Sequence, residues 1–145
     1  MTESTIDSGG DLFIALFRLW AQARRRCANP LPAMYGHGDR VGASAELVPA
    51  CESCFALTEA CLGRPLCAGG GALSRDERGL LLLVRHAPAL GPTQGSASVP
   101  HGLPGALCWA SFAVARALGE GATIAVPPPA PDEECPFGPL TAWAA

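Results

Sequence analysis

The stretch SRDERGLLLLVRHA, Ser74 to Ala87, decides the fold class. Ser74 followed three residues later by Glu77 is a capping box, the pairing that satisfies two backbone N–H groups at a helix start. The run Leu80 to Val84 leaves only Arg78 and Arg85 as a narrow polar stripe, and Pro88 sets the end. The pattern predicts a helix over residues 75–87. A helix apolar on nearly every side must lie in the middle of a bundle, so further amphipathic helices have to flank it.

Upstream, Gly63 and Pro65 stop a helix that contains ACESCFALTEAC, Ala50 to Cys61. Pro49 fits its first turn, so the element is expected over residues 46–62. The C-x-x-C spacing of Cys51 and Cys54 suggests a metal clip or a redox pair. At about 100° per residue, however, Cys51, Cys54 and Cys61 fall with Leu47, Phe55 and Leu57 on one apolar face. Free cysteine on such a face packs as a small hydrophobe. Cys61 lies about 10.5 Å along the axis from Cys54, too far to share one zinc ion with it. A mononuclear site would therefore use Cys51 and Cys54 with a third ligand from elsewhere, Cys27 or Cys67 being candidates. Its occupant would be zinc or an iron–sulfur cluster. A thioredoxin-type reading would need a preceding strand, which the sequence does not offer.

DLFIALFRLWAQARRRC, Asp11 to Cys27, is a third helix. Phe13, Leu16, Phe17 and Trp20 form its apolar side, with Ser8 as an expected cap and Arg24 to Arg26 complementing the dipole at its end. Asn29-Pro30-Leu31-Pro32 closes it. MYGHGDRVGAS then reads as a Gly-rich loop in which His37, Asp39 and Arg40 are polar and exposed. A last helix is expected over residues 104–118, with Ala110, Ala113 and Ala117 as a small-residue seam. The expected architecture is all-α, a bundle of about four helices (11–27, 46–62, 75–87 and 104–118). Residues 1–10 read as a flexible N-terminus, 11–119 as the helical domain, and 120–145 as a poorly ordered Pro-rich tail. In that tail Phe137, Leu140 and Trp143 are candidate partner-binding residues.

Composition narrows the function classes. The chain has 145 residues, a formal charge of −3, and 49% hydrophobic against 16% charged residues. That is a globular composition without the positive field a phosphate-neutralising nucleic-acid binder needs. Its cations are all Arg, as in proteins from GC-rich bacterial genomes. No secretory leader or apolar run of transmembrane length is recognised, so a cytoplasmic protein with free thiols is expected. No nucleophile elbow or phosphate-binding glycine motif occurs, and acid, base and nucleophile do not converge in the sequence.

Residues 63–88, through Ser74, Asp76, Glu77, Leu80 and Leu83, resemble a class of small bacterial all-helical proteins to which no function is attached. Such proteins can carry cysteines where this chain has Gly69 to Gly71, and the resemblance then counts against a metal role for this turn here. The leading expectation is a small non-enzymatic helical protein acting through protein–protein contacts or self-association. The alternative is a metal-binding or thiol redox sensor centred on Cys51 and Cys54.

Overall fold

The capping box forms. In the computed structural model, which describes residues 8–87 and 105–119, Ser74 Oγ accepts the Glu77 N–H at 3.0 Å. Glu77 Oε1 in turn accepts the Ser74 N–H at 2.8 Å. The helices are α1 (Ser8–Arg25), α2 (Leu31–Val41), α3 (Leu47–Leu62), α4 (Arg75–Arg85) and α5 (Gly105–Leu118). The described residues are thus helical, without strands, and the all-α reading holds for them.

Two expectations need correction. The MYGHGDRVGAS segment is not a loop: α2 runs through most of it, giving five described helices where about four were expected. Pro30 and Pro32 were read as terminators, yet they flank the start of a new helix. Pro30 is its N-cap and Pro32 lies in its first turn, where a missing N–H costs nothing. Asn29 Oδ1 accepts the Leu31 N–H at 3.1 Å, and Gly42 ends the helix at φ 73°, a left-handed conformation that suits glycine. Gly36 and Gly38 disfavour helix by propensity, but Met34 and Gly38 are buried, and that packing outweighs the penalty. The second correction concerns α1, which begins at Ser8 rather than after it. Gly9 and Gly10 are buried there, so tertiary contact extends the helix past the expected cap.

The remaining boundaries fall within a few residues of expectation. Pro49 sits in the first turn of α3, and Gly63 closes that helix at φ 70°. α3 lies along α5, α1 touches α2, α3 and α4, and α4 also packs on α5. The centre is aromatic. Phe55 of α3 stands 5.4 Å from Phe13, 5.2 Å from Phe17 and 5.4 Å from Trp20, all ring-centroid distances. Each of these rings is fully buried, so the expected face of α1 is the one that meets the core. Among the described residues no helix is long and apolar enough to cross a membrane. The tail, with Phe137, Leu140 and Trp143, lies outside the described residues.

Candidate functional site

The connection from α3 to α4, Gly63 to Ser74, is rich in glycine; Leu66 anchors it in the core with Ala68 and Leu73 packed alongside, and the rest of its shape comes from polar contacts. Three carboxylates supply them. Asp76 is buried at the start of α4 and receives the Arg64 guanidinium as a fork, at 2.8 and 2.9 Å, and the Cys67 N–H at 2.7 Å. Glu77, fully buried, receives Arg18 of α1 at 2.8 and 3.1 Å besides the Ser74 N–H. Glu59 of α3 accepts the Leu66 N–H at 2.9 Å with one oxygen and Arg24 of α1 at 2.9 Å with the other. Ser74 Oγ also donates to the Cys67 carbonyl at 2.6 Å.

Buried carboxylates are tolerated only when paired and fully hydrogen-bonded. Burial alone would raise the Glu77 pKa. The Arg18 fork and the N–H groups of Ser74 and Gly69 outweigh that and hold it below the ordinary value of 4.5. Gly69 is required where it stands, because a Cβ there would collide with the Ala72 carbonyl and come within 2.7 Å of Glu77 Oε1. The loop is therefore held in one shape by charges drawn from α1, α3 and α4.

That shape forms one wall of a groove of about 590 Å³. Pro65, Leu66, Cys67 and Ala68 line it from the loop, Glu59 from α3, and Trp20, Ala21, Arg24 and Arg25 from α1. Two cations against one carboxylate leave its charged lining positive, in a chain whose net charge is −3. The Arg24 guanidinium lies over the Trp20 ring, 4.8 Å from its centroid, while Glu59 holds it from the side. Arg25 makes no ion pair among the described residues. Among the described residues the Trp20 indole Nε1–H is buried with no hydrogen-bond partner, a condition that costs about 1–3 kcal/mol.

The candidate ligands Cys51 and Cys54 sit elsewhere, fully buried on α3. Cys54 Sγ lies 3.8 Å from Ser111 Oγ. Burial pushes the Cys54 thiol up to about 11, against weaker lowering by hydrogen bonds from Ser111 and Thr58. It pushes Cys51 well above the ordinary thiol value too, with the neighbouring Cys54 adding to the effect. Both are held as neutral thiols in the core at ordinary pH. Cys27 is exposed just past α1, and Cys67 is exposed on the groove. Among the described residues no three His, Cys, Asp or Glu side chains group as a metal ion would require.

A second cavity, about 620 Å³, opens between α1, the end of α2 and the end of α5, and His37 lines it with Asp11 and Ser44. Asp39 and Arg40, next to His37 in sequence, are exposed and do not line it. Among the described residues no hydrogen bond joins Asp11, His37 and Ser44, so they do not form a nucleophile–base–orienter chain.

Sequence reasoning passed over Arg18, Trp20, Glu59 and Arg64 as site residues. One signal was present: two consecutive acids open a helix that a bundle must bury, so cations from other elements have to meet them. No family model, curated protein or solved structure matches the chain.

Proposed function

We propose that this protein is a small ligand-binding module whose α1–α3–loop groove takes an organic carboxylate of peptide size. The observation that carries the reading is the pre-organised loop facing Arg24 and Arg25 of α1 across one groove, with the Trp20 ring in its lining. Ordering a glycine-rich connection on binding would consume affinity, and the Asp76, Glu77 and Glu59 contacts have already ordered it. The volume suits a small ligand. Arg25 is available to a carboxylate as a planar fork. The Trp20 ring stands in the lining with Arg24 stacked on it, so its indole N–H resonance reports on what enters the groove.

The test is nuclear magnetic resonance of the indole N–H groups, with Trp20 assigned by Trp20→Phe. Titration with S-methylglutathione, an unreactive tripeptide with two carboxylates, is expected to move the Trp20 Nε1–H resonance. Its dimethyl ester is expected to do so far more weakly, and Arg25→Ala to weaken the response to the free acid. A Trp20 resonance that stays fixed at millimolar acid would overturn the reading.

A further inference from the structure

The α1–α3–loop groove combines cations with apolar surface, and one stretch of this chain has the complementary chemistry. Arg24 and Arg25 line the groove and Arg26 follows them in sequence, all three exposed. Arg24 is met by Glu59, while Arg25 makes no ion pair among the described residues. Trp20, Ala21, Pro65 and Leu66 supply the apolar part of the lining. Outside the described residues, Asp132-Glu133-Glu134 is the one run of three consecutive acids in the sequence, and Phe137 follows three residues later.

The connection is long enough to bring that run to the groove. The end of α5, at Ala117 and Leu118, shares a cavity with Gly9, Asp11 and Leu12 at the start of α1. The groove lies toward the other end of the same helix, from Trp20 to Arg25. From Leu12 to Arg24 is about 18 Å along the axis at 1.5 Å per residue. Residues 120–131 join α5 to the acids, and four of them are proline. A Pro-rich chain covers about 3.1 Å per residue, so these residues can span on the order of 37 Å. The tether therefore reaches with slack and holds the acids near the arginines at a roughly millimolar effective concentration.

We infer that the groove is occupied in cis by this chain's own acidic segment, Asp132 to Phe137, with its carboxylates on Arg24 and Arg25 and Phe137 on the apolar lining. The inference rests on the groove reading above and deepens it, because a free carboxylate then enters by displacing a built-in one. Carboxylate and guanidinium meet as planar forks, the pairing already used by Asp76 and Arg64 in the adjoining loop. The apparent affinity for a free ligand is set by the fraction of molecules from which the segment has left.

The full chain carrying Asp132→Asn, Glu133→Gln and Glu134→Gln together is compared with wild type, with circular dichroism checking that helix content is retained. Without ligand, the Trp20 Nε1–H resonance is expected to differ between the two proteins. S-methylglutathione is expected to bind the neutralised variant about tenfold more tightly, the gain when the segment fills nine grooves in ten. A measurement on the wild type adds proximity. Cys135 adjoins the acids and Cys67 is exposed in the lining, so mild oxidation with diamide is expected to link them within one chain. The neutralised variant is expected to form that link several times less. A Trp20 resonance and an S-methylglutathione affinity both unchanged by the three substitutions overturn the inference. So does a Cys67–Cys135 link that forms between chains, which gives the groove to a second copy.

The two readings fail separately. S-methylglutathione moving the Trp20 resonance equally in both proteins supports the groove and overturns the built-in occupant. A Trp20 shift on neutralising the acids, with no response to S-methylglutathione in either protein, supports the built-in occupant and overturns the free ligand. Neither response overturns both.

Discussion

Replacing Glu77 by Gln removes a buried charge while keeping the shape of the side chain, which makes it the sharpest test of the polar clamp. The carboxylate accepts Arg18 Nε at 2.8 Å and Arg18 Nη2 at 3.1 Å, and the Ser74 N–H at 2.8 Å. A Gln has one acceptor oxygen. It can face Ser74 or Arg18, and its amide N–H₂ is then turned toward a donor on the other side. Charge-assisted bonds contribute about 1.5–3 kcal/mol each, so the gross loss is about 3–6 kcal/mol. The Arg18 side chain is 33% exposed and recovers part of this from water, leaving a net cost of about 2–3 kcal/mol. For a chain of this size that is a fall in Tm of about 5–10 °C.

Urea unfolding followed by helical circular dichroism measures it. The pH dependence adds a second reading. The folded-state pKa of Glu77 lies below 4.5, so its contribution is present above that value and lost as pH falls through the folded pKa. The gap between wild type and Glu77→Gln should therefore close in acid. A cost under about 0.5 kcal/mol at neutral pH would refute the clamp. So would an undiminished cost in an Arg18→Met background, because the pair would then be uncoupled.

Gly69→Ala should destabilise by about 1–3 kcal/mol, since its Cβ would meet the Ala72 carbonyl and Glu77, and faster amide exchange at Cys67 and Ser74 would locate the damage. Phe55→Ala removes the ring on which Phe13, Phe17 and Trp20 converge and should cost about 3–5 kcal/mol in the same urea assay. In alkali, the buried Cys54 thiol keeps its proton until about pH 11, whereas an ordinary thiol loses it near 9.0. The folded state then holds more protons than the unfolded one, and stability should fall by up to about 2–3 kcal/mol as pH rises across that window. Cys54→Ala should show a shallower alkaline decline.

The helices that the sequence displays clearly are those whose pattern is local. SRDERGLLLLVRHAP carries its cap, its apolar run and its stop within fifteen residues, and the structure forms α4 from Arg75 to Arg85. α2 was hidden because its stabilisation is not local: Met34 and Gly38 are buried against other elements, while Pro30, Pro32, Gly36 and Gly38 all speak for a loop. The groove was hidden for the same reason. Arg18 lies among the polar residues of α1, and only the docking of α4 onto α1 shows that it faces Glu77. ACESCFALTEAC illustrates the opposite case. Its helical register alone puts Cys51 and Cys54 on the apolar face, where both are buried and Cys54 meets Ser111 of α5.

The Arg18–Glu77 pair joins positions 59 residues apart. Closing a chain segment of that length has an entropic cost on the order of 3–4 kcal/mol, which must be met before the pair contributes anything. The α1 side of the clamp on the Gly63–Ser74 loop is therefore expected to close only after α1 and α4 have met, late on the route from the unfolded chain. Contacts absent from the transition state influence escape from the native state rather than arrival in it. Changes at Gly69 or Glu77 will thus shorten the native lifetime while leaving the folding rate nearly unaltered, and the groove will be among the first features to open.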